Sequence, residues 1–152
     1  MWWRERTNDR DTNRSAFERI VADGGEPGLL AYQDGVPVGW ISVAPRAAHP
    51  QLLRSPTLAP EDPDEPDVYS ITCFYVHPSA QRQGIRGALL DAAVEHARSR
   101  GATAVEGYPS SARTARTDFM GTTTSFAERG FAVGPPVRRS RSIARLDLGD
   151  ER

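Results

Sequence analysis

Residues 68–90 read VYSITCFYVHPSAQRQGIRGALL, and this stretch decides the fold. Its first nine residues are rich in β-branched and aromatic side chains, with apolar side chains on both faces near the end, which predicts a central β-strand. His77-Pro78-Ser79-Ala80 breaks the strand, and from Ile85 to Arg100 apolar residues recur at helical spacing until Gly101. Residues 102–106 resume an extended pattern, so the segment predicts a βαβ unit whose two strands run parallel.

The loop in front of the predicted helix is suited to bind an anion. The N-terminus of a helix exposes backbone N–H groups that have no partner within the helix, and the helix dipole favours negative charge there. Gly84 lets the backbone approach a ligand such as a diphosphate without a Cβ in the way, and Gly87 adds local freedom one turn later. An ordinary tight turn fits the same residues. The sequence contains neither the Gly-Lys-Ser/Thr of a Walker loop nor the G-x-G-x-x-G spacing of dinucleotide-binding proteins.

Shorter elements are predicted on both sides of this unit. Ser15 is expected to cap a short helix that carries Phe17 and stops at Gly24-Gly25. Two apolar runs, residues 29–32 and 38–43, flank Asp34-Gly35, which predicts an antiparallel hairpin. Toward the C-terminus the pattern predicts a helix and two closing strands, at 122–129, 131–133 and 142–148.

The segment from Pro45 to Asp67 lies between the hairpin and the central strand. It is rich in proline and ends in EDPDEPD, residues 61–67. Such a composition favours an extended, solvated loop over packed structure. Long loops are either functional or disordered, so a mobile surface insertion and a lid over the substrate are both open.

Size and charge restrict the class of protein. A single domain over residues 1–152 is expected. The 19 basic and 20 acidic side chains leave a net charge of -1, so no basic field argues for nucleic acid or an anionic membrane as a partner. Cys73 is the only cysteine and the apolar runs are far shorter than a membrane span, which favours a cytoplasmic protein. His49, His77 and His96 have no metal-ligand spacing, so no metal site is expected.

The strand and loop resemble a known cofactor-binding signature. Phe74-Tyr75-Val76-His77-Pro78 followed by Gln81 to Leu90 is similar to the acetyl-CoA signature of the GNAT acetyltransferases, Q/R-x-x-G-x-G/A. The order of elements is similar from Leu29 to Leu148. Three shorter stretches, residues 39–46, 73–76 and 105–109, look like a subgroup of actinobacterial GNAT proteins of mostly unassigned substrate.

This resemblance implies an α/β (α+β) fold. A twisted, mostly antiparallel mixed sheet is expected, with a splayed central parallel pair and helices on both faces. The family usually has a strand and a helix before the segment that resembles Trp2-Trp3-Arg4, so the N-terminal element is expected to be abbreviated. The sheet would then lack its first strand, or the partner subunit of a homodimer would cover that edge.

The resemblance also implies where acetyl-CoA binds. The backbone of Phe74, Tyr75 and Val76 would pair with the pantetheine amides, and the turn that follows would hold the pyrophosphate. That turn comprises Gln81, Arg82, Gln83, Gly84, Ile85, Arg86, Gly87 and Ala88. Arg86 stands where the family prefers glycine or alanine, and its guanidinium is expected to turn outward, toward a CoA phosphate.

The catalytic residues are harder to assign. Phe126 stands where the family often has the tyrosine that protonates the leaving thiolate, so Ser125, Thr124 or water would replace that group. Glu106, near the end of the second strand of the βαβ unit, is the first candidate for a general base. An ion pair with one of the many arginines would explain the same carboxylate.

Three aromatic residues have two interpretations each. Tyr108 would orient the acceptor or donate a proton, or it would be a half-buried core residue. Trp40 and Phe119 would line an acceptor pocket, although large apolar residues are more often core.

The function expected from this resemblance is transfer of an acetyl group from acetyl-CoA to a primary amine of a small molecule, by direct attack in a ternary complex. Two alternatives are a non-catalytic or regulatory acyl-CoA-binding domain and an N-acetyltransferase for proteins or peptides. The sequence does not identify the acceptor.

Overall fold

The structure, a computed structural model, describes residue 4 and residues 7–112, 118–137 and 139–149. The helices within these ranges are α1 (Arg10–Ala22), α2 (Pro50–Leu53), α3 (Ile85–Ser99) and α4 (Thr123–Ala127). The strands are β1 (Leu29–Gln33), β2 (Val36–Pro45), β3 (Val68–Val76), β4 (Ala104–Gly107), β5 (Ala132–Val133) and β6 (Ala144–Asp147). Short 3-10 turns lie at Arg46–Ala48, Pro78–Ala80 and Asp118–Met120.

The six strands form one mixed sheet in the order β1-β2-β3-β4-β6-β5. Only β3 and β4 are parallel, and their pairing ends at Ile71 and Gly107. Because β3 continues to Val76, the last part of this strand has no neighbour in β4, and the sheet opens between the two strands. The other four pairings are antiparallel, so the predicted mixed sheet with a splayed parallel pair is confirmed.

Helices cover both faces of the sheet, as predicted. On one face α3 packs so closely on β2 that a Cβ at Gly39 would lie 3.0 Å from Ile85 and 3.1 Å from Leu89. On the other face α1 lies over β2, where the rings of Phe17 and Trp40 meet edge to face at 5.7 Å. The main core lies under α3, and no residue of α1 is fully buried.

Several element boundaries differ from the predicted ones. Helix α1 begins at Arg10, because Asp9 rather than Ser15 accepts the capping hydrogen bond, from Thr12 N–H at 2.8 Å. Thr122 is the cap of α4, which ends at Ala127. The last strand begins at Ala144 and pairs with β4 along its whole length.

The first part of the segment 45–67 packs against the sheet, so its prediction as a solvated loop is wrong for residues 46–58, whereas residues 61–67 are mostly exposed. It contains α2, and Leu52 and Leu58 are buried with Tyr108 and Met120 in a second hydrophobic core. The proline content favoured a loop, but proline does not exclude a helix here, because Pro50 occupies the first turn of α2, where proline is tolerated.

A cluster of charged side chains ties this segment to the strands. Glu65 accepts two hydrogen bonds from the guanidinium of Arg145, at 2.7 and 3.0 Å. Arg46 is buried and donates to the Asp62 carbonyl at 2.6 Å and to the carboxylate of Glu106 at 3.1 Å. Glu65, near the end of the segment, therefore has its charged partner within the chain.

Among the described residues, none of the helices is long and apolar enough to cross a membrane. In the same residues, no group of three or more His, Cys, Asp or Glu side chains is placed to hold a metal ion.

Candidate functional site

The turn between β3 and α3 presents the N-terminus of a helix to open space. Arg82 and Gly84 have left-handed backbone conformations, with φ of 60° and 78°. A Cβ at Gly84 would have nothing within 4 Å, so the glycine is explained by its backbone angle. The N–H of Ala88 bonds to the Gly84 carbonyl at 3.0 Å, and the N–H groups of the turn before it point out of the helix end. This geometry suits an anion.

A cavity of about 330 Å³ lies against this turn. Six residues of the predicted cofactor set line it together with Ala80: Val76, Gln81, Arg82, Gly84, Ile85 and Arg86. The side chain of Gln83 instead bonds to the Ser79 carbonyl at 3.1 Å and accepts from Gln33. The structure thus brings most of the predicted turn residues to one cavity.

Gly87 has a reason that the sequence did not reveal. A Cβ at this position would overlap Nη2 of Arg129, whose guanidinium also bonds to Asp91 at 2.7 Å and to the Ser125 carbonyl at 3.3 Å. The glycine therefore makes room for an arginine that joins α3 to α4.

A second cavity, of about 350 Å³, lies where β3 and β4 separate. It is lined by Arg86, Ser110, Ser111, Thr122, Thr123, Thr124 and Ser125. Arg86 also lines the first cavity, so the two spaces adjoin at this side chain. Its guanidinium carbon lies 5.8 Å from the centre of the Phe74 ring, in a cation–π contact. The orientation of Arg86 toward a CoA phosphate stays a prediction.

Ser125 lies in the wall of this second cavity because Thr122 caps α4. The Thr122 hydroxyl oxygen accepts from Ser125 N–H at 3.2 Å, and the two hydroxyl groups lie 2.9 Å apart. Among the three residues predicted to be catalytic, Ser125 is the one that lines the opening between β3 and β4.

Phe126 is fully enclosed beside this opening. A Cβ at Gly107 or at Gly121 would overlap its ring, so the two glycines form the slot that receives it. The ring also makes edge-to-face contacts with Phe74 at 6.2 Å and with Phe131 at 4.9 Å. Packing thus accounts for a phenylalanine here, with no polar atom at the ring tip.

Glu106 and Tyr108 lie inside a buried polar network. The carboxylate of Glu106 is 6% exposed and accepts from Arg46 at 3.1 Å and from Arg145 at 3.0 Å. Tyr108 donates to it at 3.2 Å, and the Tyr108 hydroxyl lies 2.9 Å from that of Ser70. Burial, followed by the nearby carboxylate, raises the pKa of Tyr108. These contacts favour the structural interpretation of both residues, the ion pair and the core aromatic.

The two aromatic residues predicted to bind the acceptor lie in different places. Trp40 lines a cavity of about 460 Å³ between α1 and β2, together with Phe17 and Ser42. Phe119 packs against the second hydrophobic core, and the guanidinium carbon of Arg141 lies 5.9 Å from its ring centre. Only Trp40 keeps a position that a substrate could reach through this cavity.

Sequence analysis missed several residues of these cavities. Ser110 and Thr123 line the opening beside β4, and Phe17, Ser42 and Arg4 line the space under α1. The Thr122 cap is a local signal that could have pointed to the first group. The second group has no such signal, since Arg4 and Ser42 meet only in the fold.

Most of the sequence matches one known family. Residues 1–120 match the model of the acetyltransferase (GNAT) family. The chain belongs to this family. The predicted family is therefore confirmed, and GNAT acetyltransferases take acetyl-CoA as their acyl donor.

Solved structures share this fold at low sequence identity. The Salmonella typhimurium protein yncA, solved with its cofactor acetyl-CoA, is 22% identical with a TM-score of 0.61, over 99% of this chain and 79% of that one. The ribosomal-protein-alanine N-acetyltransferase of Brucella melitensis is 20% identical with a TM-score of 0.59, over 96% of this chain and 83% of that one. The sequence matches none of the curated proteins. Identities this low show the fold alone.

The residues of this GNAT chain fit the cofactor of the family. The left-handed turn at Arg82 and Gly84 leaves open space in front of the helix end. Beyond Ile71 the edge of β3 that faces β4 is no longer paired with that strand, which leaves main-chain groups for an extended ligand. One cavity lies against Val76 at the end of β3, the other lies against Ser110 after β4, and the two share Arg86.

Proposed function

We propose that the chain transfers the acetyl group of acetyl-CoA to a primary amine of a small molecule, in a ternary complex. The observation that carries this proposal is the opening between β3 and β4, with an anion-binding turn at its end. In the reaction the amine nitrogen bonds to the acyl carbon, the C–S bond breaks, and sulfur takes the electron pair. The amine loses one proton and the thiolate gains one.

The chain's own residues divide this work between binding and proton transfer. The backbone of Phe74, Tyr75 and Val76 would pair with the extended part of the cofactor. The turn from Gln81 to Ala88 would hold its pyrophosphate, mainly through backbone N–H groups. Acetyl-CoA supplies the activated acyl group.

Ser125 is our candidate for the group that protonates the leaving thiolate. Its hydroxyl lines the opening, whereas Tyr108 is buried with a raised pKa and Phe126 has no proton to give. Glu106 stays a prediction as the general base, with its two arginine partners as the physical argument for a structural role instead.

The size of the cavity under α1 favours a small acceptor. At about 460 Å³ it lies within the range of small-molecule sites, about 300–1,000 Å³. An acceptor that is a protein or peptide would need a groove along the surface, so it is an alternative outcome of the test with amines.

Calorimetric titration with acetyl-CoA and with free CoA tests the cofactor site. The wild-type protein should bind both, and Gly84→Glu should lose both, because a side chain at this left-handed position strains the turn and fills the anion site. Gly101→Glu is the matched control: Gly101 lies past the other end of α3, with φ of 79° and open space around it. Gly101→Glu should still bind acetyl-CoA and free CoA.

Absence of binding to the wild-type protein would contradict the proposal at its first step. If binding is lost equally in both variants, the effect is one of stability and the turn is not the site. Binding with acetyl-CoA consumption that no amine accelerates would favour the non-catalytic reading. Acetylation of peptides in preference to small amines would favour the protein acetyltransferase.

A further inference from the structure

The cavity under α1 has an aromatic wall. Phe17 of α1 and Trp40 of β2 meet at an interplanar angle of 76° and both line this space. Since α1 has no fully buried residue, its apolar side chains keep surface that a ligand can cover. Burial of apolar area in this place favours a ligand with an aromatic or branched aliphatic body.

Arg4 places a positive charge at the same cavity. Its guanidinium is partly buried and donates to the Ala48 carbonyl at 3.4 Å. Within the described residues, no carboxylate forms a salt bridge with it, and burial lowers its pKa. By contrast Arg14, also in the lining, is paired with Glu18 at 2.9 Å. A buried charge gains most from a partner that arrives with the ligand, and a guanidinium prefers a carboxylate.

Ser42 places the floor of the cavity beside the cofactor strand. In the antiparallel register Ser42 pairs with Cys73, and Trp40 pairs with Tyr75. Neighbouring strands lie about 4.8 Å apart, so the floor is one strand away from the free edge of β3. The Ser42 hydroxyl accepts from Thr72 at 3.0 Å, which fixes its position. A small molecule in this cavity can therefore direct an amine toward the acyl group.

We propose that the acceptor is an amino acid with an apolar or aromatic side chain, whose carboxylate pairs with Arg4 and whose side chain packs against Phe17 and Trp40. This inference rests on the proposed function, because it names the substrate class of the same site. Neither the family nor the fold specifies it. Acetylation would fall on the amine of that amino acid.

Matched acceptors test the role of the carboxylate. Acetylation is measured by release of the CoA thiol, with L-phenylalanine against 2-phenylethylamine and L-leucine against 3-methylbutylamine. A hydrogen-bonded charge pair changes affinity about 10-fold to 100-fold, so kcat/KM should favour the amino acid of each pair by such a factor. In Arg4→Met the preference should disappear, through a lower kcat/KM with the amino acid of each pair.

Two further variants keep this test clear. Arg4→Lys keeps the charge but not the planar fork, so it should retain part of the preference. Arg19→Met removes an exposed arginine of α1 that does not line this cavity. This variant should keep the full preference for the amino acid. The melting temperature of each variant shows that a changed ratio does not come from unfolding.

Direct binding separates this inference from the proposed function. Titration of L-phenylalanine and of 2-phenylethylamine into the protein alone, followed by calorimetry, needs no acetyl transfer. Binding of L-phenylalanine that depends on Arg4, without turnover, would support the pocket and overturn acetyl transfer. Equal turnover of amines with and without a carboxylate would support acetyl transfer and overturn the inference. The inference would also be overturned if L-phenylalanine and L-leucine neither bind nor react.

Discussion

At the scale of single residues, Glu106 is held by three hydrogen-bond donors. Its carboxylate neutralises Arg46, which is 3% exposed, and shares Arg145 with Glu65. A carboxylate in such surroundings has few lone pairs left for a substrate proton.

Glu106→Gln should therefore reduce stability more than catalysis. The variant leaves buried Arg46 with only the longer ion pair to Glu65, at 3.8 Å, and we expect the free energy of unfolding to fall by about 3 kcal/mol, as for broken buried pairs. Urea unfolding measures this, and kcat is measured where the variant is folded, with a decrease below about 10-fold expected. Glu128→Gln, at an exposed position, is the control. A loss in kcat above about 100-fold with unchanged stability would make Glu106 the general base.

His49 links stability to pH. It is 1% exposed, its Nδ1 has no hydrogen-bond partner within the described residues, and Nε2 lies 3.4 Å from the Thr72 hydroxyl. Burial, followed by the positive charge of Arg4, lowers the pKa of His49 from 6.5 to about 3. Between these two values the unfolded chain binds a proton that the folded chain does not bind, so this residue lowers stability as the pH falls from 6.5 toward 3.

His49→Gln should remove this part of the pH dependence. From pH 6 to pH 4 the wild-type protein should lose about 1.4 kcal/mol per pH unit more than the variant, since one proton is taken up on unfolding. Urea unfolding at several pH values gives the two slopes. His77→Gln, at an exposed histidine, should have the wild-type slope. Parallel curves for wild type and His49→Gln would show that His49 is protonated in the folded state.

At the scale of elements, the contact between β4 and α4 depends on a missing side chain. The ring of Phe126 fills the space that a Cβ at Gly107 would occupy, and Gly107 has an ordinary negative φ. Any effect of a substitution here is therefore steric, not conformational. By fixing Phe126, this slot also fixes the neighbouring Ser125, which lines the opening between β3 and β4.

Gly107→Ala should reduce the melting temperature by overpacking. Overfilled cores lose about 1–3 kcal/mol, and the Phe126 ring has little room to move between Phe74 and Phe131. Gly134→Ala is the control, because its Cβ would meet only the Ile143 carbonyl at 3.4 Å. Thermal unfolding of both variants checks this. Equal melting temperatures would mean that β4 and α4 do not pack as described.

At the scale of the whole molecule, the segment 45–67 builds a second hydrophobic core on the side of the sheet away from α3. Leu52 is fully buried there with Tyr108 and Met120, and the Glu65–Arg145 pair fixes the end of the segment. This arrangement makes the segment part of the folded domain.

Leu52→Ala should therefore destabilise the protein as much as the same substitution in a typical hydrophobic core. We expect a loss of about 2–5 kcal/mol in the free energy of unfolding, because a cavity forms where the side chain was. Leu30→Ala removes the same atoms at a position that is 52% exposed, and its loss should stay within about 0.5 kcal/mol. Urea unfolding compares the two. Equal small losses in the two variants would indicate that Leu52 is solvated, as the composition of the segment predicted.

Local patterns predicted the βαβ unit that we propose to bind the cofactor. The βαβ unit, the hairpin, the parallel pair and the family are confirmed, because strand composition, helical periodicity and the left-handed glycine at 84 are properties of short stretches. Acetyl transfer to a small amine, the homodimer and the cytoplasmic location stay predictions.

The sequence by itself thus determined the order of the elements and the place of the signature turn, since neighbours along the chain set both. Only the tertiary structure decided which side chains lie together. Glu65 and Arg145 are 80 positions apart, and Arg46 is 60 positions from Glu106. The packing of 45–67, the enclosure of Phe126 and the pairing of Glu106 depend on such distant contacts. Their free energy comes from burial and charge pairing that exist only after the chain has folded.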